Sequence, residues 1–467
     1  MKNMPKGKQR SALQKISILL PESKTSNRKK DEKSGARFAM SQVVTNNPIL
    51  LDTLEYRRMY FEKLKEYTKL LGRENGLFEA AELDMYQKIM LRGDNGTPQK
   101  DFRMYRYYLL MDVIFILGCK LTESETKSLL KKYREEFSEN RENARTASEL
   151  LKAFTRTPAR LEGLIKNKKL QDEWKYLLLL RKNSRFQMQK SHTILVTATM
   201  SAGKSTFINA LAGKKICRSQ IAACTSKIHT IYNKAFEDGL AYEYDHDLLL
   251  AASEDDLMND NEKNESDQIT VAVKFKGELR DDRIIISDSP GVNFSGAVKH
   301  REITRKMIEQ KNFDLLIYVM NATQMATDDE AEHLRFIRSK IGKTPVMFVL
   351  NKVDELDPEK EGIKQTLKEM HGYLEDMGFR DPMICPVSAW MGGMAKRSEK
   401  ETLTHREKMR METYADLLEE MNLPEYYEKE YPCLSGSREN SKMENMLRIS
   451  GIPYIEKIIL LASAGRK

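Results

Sequence analysis

The sequence predicts an α/β domain with a doubly wound, mostly parallel sheet, preceded by an α-helical domain and a disordered basic tail. After about residue 190, short apolar runs alternate with helical segments. Residues 46–190 show helical periodicity with few glycines and prolines. Residues 1–45 are rich in Lys and Ser without sustained periodicity. Because 467 residues are too many for one ordinary core, we expect three regions: 1–45, 46–190 and 191–467.

The basic tail holds nearly all of the net charge. Residues 1–37 contain eleven Lys or Arg and three Asp or Glu, and the whole chain carries +9. The remaining body is nearly neutral, so we expect no broad nucleic-acid-binding surface. A solvated tail is the favoured interpretation. The alternative is peripheral contact with an anionic membrane through a short amphipathic helix over Ser11–Leu20.

Residues 46–190 are predicted to form a helical bundle. Thr122 and Glu125 form a capping-box pattern, and Thr157 followed by Pro158 is typical of another helix start. The apolar stretch Leu109–Cys119 contains Asp112 and is too short to span a bilayer, so a buried helix is expected. Tyrosines at helical spacing are interpreted as bundle core rather than as base-stacking residues: Tyr56, Tyr60, Tyr67, Tyr105, Tyr107 and Tyr108.

The cysteines and the N-terminus indicate the compartment. Five cysteines are scattered without a C-x-x-C pair, which is typical of a reducing cytoplasm rather than of disulfides or a zinc site. The N-terminus lacks the apolar core of a secretory signal. We expect a cytoplasmic protein that is at most peripheral at the inner face of the membrane.

Five apolar runs predict the strands of the α/β domain: Ile194–Val196, Ile284–Ile286, Leu315–Val319, Val346–Leu350 and Ile384–Val387. An acidic interruption, Glu254–Asp267, is expected to be a loop insertion.

The first strand leads into a phosphate-binding loop, Ala198–Ser205, in which Ala198 replaces the usual first glycine. Backbone N–H groups of such a loop and of the following helix attract phosphate oxygens. Lys204 is expected to reach the β- and γ-phosphates, and the Ser205 hydroxyl to bind Mg²⁺. The loop residues expected to bind nucleotide are Met200, Ser201, Ala202, Gly203, Lys204, Ser205 and Thr206.

Three further motifs follow predicted strands in order. In Asp288-Ser-Pro-Gly291, Asp288 is expected to hold Mg²⁺ and the Gly291 amide to sense the γ-phosphate. In Asn351-Lys-Val-Asp354, the carboxylate matches the N1 and N2 donors of guanine, and Asn351 with the Lys352 stem completes the base pocket. Ser388 and Ala389 are expected to contact the guanine oxygen through backbone. Four motifs in order, each at a strand end, predict a GTP site.

Residues from about 190 to 460 resemble the GTPase domain of bacterial dynamin-like proteins. The matching segments are MSAGKSTFINAL (200–211), ACTSKI (223–228), DSPGVN (288–293), LIYVMNATQ (316–324) with Asp328 and Asp329 after it, NKVDELDPEK (351–360) and SGIPYIE (450–456). The resemblance implies hydrolysis of GTP to GDP and phosphate, and a homodimer whose GTPase domains meet across their nucleotides.

The resemblance also implies catalytic roles. Lys204 and Ser201 act at the transferring phosphate, and Ser201 helps to hold a monovalent cation, K⁺ or Na⁺. Thr225 is implied as the switch threonine that contacts Mg²⁺ and the attacking water, with Ser226 as the runner-up.

Three features depart from the family pattern. Met200 and Val292 stand where related GTPases place water-orienting glutamines, so slow basal hydrolysis, stimulated by dimerisation, is expected. Asn293 and His300 lie in the expected second switch, and His300 is expected to be an exposed or capping residue rather than a catalytic one. The helical mass precedes the GTPase domain and only about 15 residues follow Ile452, so a coat-forming stalk is not expected.

Two other functions compete with a dynamin-type switch. A GTPase of ribosome assembly or translation is the alternative, although the basic, glycine-patterned RNA-binding domain typical of such proteins is not visible in the sequence. An ATPase conflicts with the NKVD motif, because adenine lacks guanine's donor pattern.

Overall fold

The structure is a computed structural model that describes residues 29–71, 77–93, 95–97, 101–117, 121–137, 140–153, 170–217, 228–244, 248–259, 268–290, 298–357, 362–398, 403–434 and 441–464. The chain divides into two compact units. The helical unit comprises Lys29–Lys190 with Ala235–Asp238, and the α/β unit comprises Ser191–Lys234 and Gly239–Lys467. In the described ranges, no helix combines the length and apolar character needed to cross a bilayer.

In the described residues, the helical unit contains α-helices and 3₁₀ segments. In chain order they are α1 (Lys29–Val44), α2 (Leu54–Leu70), α3 (Leu77–Met90), α4 (Arg106–Ile116), α5 (Glu123–Phe137), α6 (Arg141–Ala153) and α7 (Gln171–Met188). The predicted capping box is confirmed at the start of α5, where Glu125 N–H donates to Thr122 Oγ1 (3.2 Å) and Thr122 N–H donates to the Glu125 carboxylate (2.6 Å).

Helix α4 forms the centre of this unit and is buried on all sides, as the sequence predicts for Leu109–Cys119. Five of the six predicted core tyrosines are buried, and Tyr56 is half-buried. Asp112 is also fully buried, and three neutral groups donate to its carboxylate: Asn47 Nδ2 (2.8 Å), Tyr60 OH (2.6 Å) and Tyr176 OH (2.6 Å). Burial raises the pKa of Asp112 to about 6, against the opposing effect of these donors.

The expected tail boundary at residue 45 is wrong, because Lys29–Val44 is helix α1 of the helical unit. Its C-terminal half buries Phe38, Met40, Val43 and Val44, so apolar burial outweighs the charged N-terminal half. The predicted amphipathic helix over Ser11–Leu20 and the helix start at Thr157–Pro158 lie outside the described residues.

The α/β unit alternates strands and helices as predicted. Its strands are β1 (His192–Ala198), β2 (Ile228–Asn233), β3 (Tyr242–Tyr244), β4 (Leu248–Leu249), β5 (Gln268–Val273), β6 (Ile284–Asp288), β7 (Leu315–Asn321), β8 (Val346–Asn351) and β9 (Met383–Val387). Its helices are α8 (Lys204–Ala212), α9 (Glu254–Asn259), α10 (Val298–Gln310), α11 (Asp328–Ile341), α12 (Ile363–Asp376), α13 (Ala389–Arg397), α14 (His405–Met421), α15 (Leu423–Glu430), α16 (Lys442–Ile449) and α17 (Ile452–Ala464).

These strands form one sheet in the order β4-β3-β5-β2-β6-β1-β7-β8-β9. The half from β6 to β9 is entirely parallel, whereas β2 runs antiparallel to β6 and parallel to β5. The predicted doubly wound, mostly parallel sheet is confirmed. Because β6, β1, β7, β8 and β9 are parallel, their carboxyl ends meet at one edge, which is where ligands bind in this fold.

The acidic segment Glu254–Asp267 differs from the expected loop. Its first six residues form α9, with three acidic side chains in the first turn. Carboxylates at a helix N-terminus are favoured by the helix dipole, which makes this composition compatible with a helix. Residues 260–267 lie outside the described ranges.

Candidate functional site

The phosphate-binding loop connects β1 to α8 at the carboxyl edge of the sheet. Gly203 has φ +83° and precedes Lys204, the first residue of α8, without a side-chain cap. Ser201 also adopts a left-handed conformation, with φ +64°. The first N–H groups of a helix have no partner within the helix, so this end of α8 suits an anion.

The side chains of Lys204 and Asp288 form a buried ion pair at this loop, between Nζ and Oδ1. Asp288 ends β6 and is fully buried, and its second oxygen, Oδ2, accepts no hydrogen bond from the residues that the structure describes. An unpartnered buried carboxylate oxygen is costly unless a ligand completes it. Hydroxyl and carboxylate oxygens are the ligands that Mg²⁺ prefers, so Ser205 and Asp288 fit such an ion.

Asn351 connects two loops of the site. Its Nδ2 donates to Ala202 O (2.9 Å), and its Oδ1 accepts from Ala389 N–H (3.1 Å). A Cβ at Gly203 would collide with the Asn351 amide, so this position requires glycine for close approach as well as for its φ. The side-chain amide predicted for the base pocket is therefore engaged with the protein itself.

Asp354 follows Asn351 in a 3₁₀ turn and is 4% exposed. Burial raises its pKa, and a hydrogen bond with the Ser388 side chain opposes that shift. Ser388 Oγ also caps α13 by accepting from Met391 N–H (3.2 Å). Lys352 adopts a left-handed conformation, and its ammonium lies 3.4 Å from the Glu355 carboxylate. Asp354, Ser388 and Ala389 are thus brought together at the ends of β8 and β9.

The C-terminal helices support this end of the site. Ser388 N–H donates to Ser450 O (2.9 Å), just before α17. Gly451 has φ +83°, and a Cβ there would approach Pro386 O to 2.6 Å. Sequence reasoning noticed the SGIPYIE segment but assigned no structural role to Ser450 and Gly451; the glycine between α16 and α17 was the available signal.

The structure describes only some of the remaining predicted site residues. Thr225, Ser226, Gly291, Val292 and Asn293 lie outside the described residues. Met200 and Ser201 are exposed, whereas Ser205 and Thr206 are half-buried at the start of α8. His300 is half-buried on α10.

Two residues that sequence reasoning missed, Cys217 and His229, lie beside Asp288. One donor atom from each of the three residues lies within 4.8 Å of the others. Burial and the charge of Asp288 raise the pKa of the Cys217 thiol, while Lys204 opposes that effect. No local pattern signals this group, because its members come from three separate segments of the chain.

Residues 194–353 match the sequence model of the Dynamin family. Curated relatives include sulfate adenylyltransferase subunit 1 of Shewanella woodyi, 28% identical over 203 residues (43% of this chain and 38% of the relative). Elongation factor 1-alpha of Thermococcus kodakarensis is 29% identical over 119 residues, which are 25% of this chain and 26% of the relative. This chain therefore spans less than two fifths of the length of either relative.

Solved structures give weaker similarities. A structure of an oligomerised bacterial dynamin pair is 15% identical, with 91% of this chain and 65% of that chain covered and a TM-score of 0.36. Era of Aquifex aeolicus bound to GDP and aluminium fluoride is 20% identical, with 43% and 52% covered and a TM-score of 0.26. At these TM-scores neither structure supports a conclusion about the fold of this chain.

Proposed function

We propose that this chain binds GTP with Mg²⁺ and hydrolyses it to GDP and phosphate, because residues 194–353 match the sequence model of the Dynamin family. The observation that carries the proposal is the convergence of two sites at the carboxyl edge of one sheet. The Lys204–Asp288 pair lies at the end of β6, and Asp354 with Ser388 lies at the ends of β8 and β9. The first suits a triphosphate and the second suits a guanine base.

The residues of the phosphate site would act in a defined order. When a triphosphate enters, the Lys204 ammonium exchanges the Asp288 carboxylate for the β- and γ-phosphates. The released carboxylate and the Ser205 hydroxyl would hold Mg²⁺, which neutralises charge on the phosphates when bound. The backbone N–H groups at the start of α8 would donate to the phosphate oxygens and so orient the triphosphate.

The base site selects guanine through Asp354. We expect labelled GTP to bind in the presence of Mg²⁺ and ATP not to compete, since the carboxylate matches two guanine donors and leaves adenine unmatched. Asp354→Asn should shift preference from GTP to xanthosine triphosphate, whereas Asp376→Asn, on the exposed end of α12, should not. Equal competition by ATP and GTP in the unmodified chain would refute the assignment.

We also propose that two copies of this chain associate through their GTPase domains. Met200 is exposed at the phosphate loop, and its thioether cannot orient water. A second GTPase domain across the nucleotide would exclude solvent and order the groups around Ser201 and Thr225, with a monovalent cation at Ser201. The rate per subunit should then rise with protein concentration. A rate that stays flat from nanomolar to tens of micromolar, with a monomer in every nucleotide state, would contradict this mechanism.

Thr225→Ala tests the switch assignment. The variant should bind GTP normally and hydrolyse it slowly, because the hydroxyl is needed to align water rather than to hold the ground state. Ser226→Ala is the matched control. Hydrolysis that is lost in Ser226→Ala but kept in Thr225→Ala would move the role to Ser226.

Contact with the anionic cytoplasmic face of a membrane is the alternative to a solvated tail, and we propose that the basic tail makes any such contact. Deleting residues 1–28 should lower liposome binding in a salt-dependent way, since seven of the tail's Lys and Arg residues are removed while helix α1 is kept. The similarity to elongation factor 1-alpha favours a second candidate, a GTPase of translation or ribosome assembly. Co-sedimentation with ribosomes but not with liposomes, in each nucleotide state, would favour the second.

A further inference from the structure

Three potential metal ligands of different chemistry meet beside the phosphate site. Cys217, His229 and Asp288 each offer one donor atom, and the three atoms lie within 4.8 Å of one another. All three side chains are buried, with exposed fractions of 2%, 3% and 0%. Buried thiol, imidazole and carboxylate groups in one place have few roles other than metal binding or a fully satisfied polar core.

The sheet and helix α8 determine this arrangement. His229 and Asp288 are paired residues of the antiparallel strands β2 and β6, so their side chains project from the same face of the sheet. Cys217 is held by Asn209 of α8, whose Oδ1 accepts from Cys217 N–H (2.9 Å) and whose Nδ2 donates to Cys217 O (2.8 Å). The site is therefore built on regular elements and on one side-chain clamp.

The donor set discriminates between metals. Thiolate and imidazole are ligands that Zn²⁺ accepts readily, whereas Mg²⁺ requires oxygen donors. Bond lengths around Zn²⁺ are about 2.0–2.3 Å, so the three donor atoms must lie closer to one another in a zinc site than the 4.8 Å that bounds their present separations. Asp288 offers one carboxylate oxygen to this group, and its buried Oδ2 accepts no hydrogen bond from the described residues.

We propose that Cys217, His229 and Asp288 bind a divalent cation of the Zn²⁺ class, with a fourth tetrahedral position left for water. On binding, the Cys217 thiol releases its proton to solvent and the thiolate forms the metal–sulfur bond, with no change of oxidation state. The site is distinct in chemistry from the Mg²⁺ site, but the two share Asp288.

Sharing one carboxylate makes the two ions antagonistic. A Zn²⁺ ion bound to Asp288 places two positive charges next to Lys204 and occupies the carboxylate that Mg²⁺ and GTP need. By linkage, each ligand weakens the other by the same factor. This consequence, unlike the metal site itself, rests on the proposed GTPase function.

Cobalt substitution tests the site directly. Titration of the nucleotide-free full chain with Co²⁺ should produce thiolate-to-cobalt charge-transfer absorption and the intense d–d bands of a tetrahedral site. Cys217→Ser should remove the charge-transfer absorption. Because His229→Gln removes a direct ligand, it should weaken Co²⁺ and Zn²⁺ binding by more than the roughly 10–100-fold that loss of an outer-shell partner costs. Cys433→Ser and Cys224→Ser, which remove thiols elsewhere in the sequence, should leave the spectrum unchanged.

Two spectral outcomes would overturn the metal site. They are charge-transfer absorption that persists in Cys217→Ser, and absorption that disappears in Cys224→Ser, which would assign the sulfur ligand to another residue. Thermal unfolding of each variant verifies folding. If Cys217→Ser unfolds early, Cys217→Ala, which leaves no hydroxyl to bury, provides the same comparison.

Nucleotide binding then tests the shared carboxylate. With Mg²⁺ present, Zn²⁺ should lower the affinity for labelled GTP in the unmodified chain and in Cys433→Ser, but not in Cys217→Ser. Unchanged GTP affinity with the cobalt-binding site saturated would refute the antagonism. A chain that forms the cobalt–thiolate site but binds no GTP would refute the proposed function alone, and a chain that binds GTP without forming that site would refute the metal site alone.

Discussion

Each unit of the molecule contains a completely buried aspartate, Asp112 in the helical unit and Asp288 in the α/β unit, and these two side chains are satisfied in opposite ways. In the helical unit, Asp112 accepts hydrogen bonds from the neutral side chains of Asn47, Tyr60 and Tyr176. In the α/β unit, Asp288 pairs with Lys204 and keeps one oxygen without a partner in the described structure. In the first arrangement both carboxylate oxygens accept hydrogen bonds, whereas the second leaves Oδ2 for a ligand.

The partners of a buried carboxylate indicate whether its role is structural or functional. Neutral donors that enclose a carboxylate fix the packing of helices and leave little for chemistry. A carboxylate with a single cationic partner and an unpartnered oxygen can instead exchange partners, which a nucleotide site needs. We therefore propose a structural role for Asp112 and a functional role for Asp288.

The largest effect that follows from this comparison is on nucleotide binding. Lys204→Ala should weaken binding of labelled GTP by about 1,000-fold or more, because it removes a buried cation that contacts the phosphates. Lys368→Ala, exposed on α12, should bind GTP normally. Trp390 emission verifies that the α/β unit is folded. Tight GTP binding by a folded Lys204→Ala variant would contradict the assigned role.

Removing the other aspartate should affect stability and spare binding. Asp112→Ala removes the buried acceptor of the Tyr60 and Tyr176 hydroxyls, while Asn47 Nδ2 keeps its hydrogen bond to Tyr60 OH. The variant should lower the free energy of unfolding of the helical unit by about 3–4 kcal/mol. Trp174 lies in this unit and is the only tryptophan left after Trp390→Phe, so its fluorescence follows the transition. Asp84→Ala, exposed on α3, should change stability by less than about 0.5 kcal/mol. A folded Asp112→Ala variant that has lost GTP affinity would contradict the purely structural role of Asp112.

The pH dependence should separate the two aspartates further. The pKa of Asp112 in the folded protein is about 6, above its ordinary value of 3.8, so its contribution to stability is full below pH 3.8 and is lost as pH rises through 6. Relative to Asp112→Asn, the helical unit should lose up to about 3 kcal/mol between pH 4 and pH 7. Parallel pH profiles of the two proteins, followed by Trp174, would exclude the raised pKa.

The smallest expected effect concerns Ser388, which both caps a helix and forms a hydrogen bond with Asp354 of the base site. Ser388→Ala removes an N-cap, which should cost about 1 kcal/mol of stability, and removes the hydrogen bond that opposes the raised pKa of Asp354. GTP affinity should fall several-fold, by roughly the value of one hydrogen bond. Ser441→Ala removes a comparable cap from α16 and should leave GTP affinity unchanged. Equal GTP affinities in both variants would show that Ser388 acts only as a cap.

Predictions from local patterns succeeded where the determining contacts are local. The five apolar runs became strands because buried parallel strands require continuous apolar side chains. The capping box at Thr122 formed because its four residues are adjacent. Helix α1 was missed because its Lys-rich beginning hides an apolar end that becomes buried only in the folded unit.

By itself, the sequence determined the order of the motifs along the chain and hence the expected guanine nucleotide, since each motif needs only a few adjacent residues after a strand. Only the tertiary structure decided which distant groups meet: the Asn351 amide between Ala202 and Ala389, Ser450 beneath Ser388, and Cys217 and His229 beside Asp288. Such contacts depend on strand order and register, and a sheet of nine strands brings together residues whose local sequences carry no record of one another.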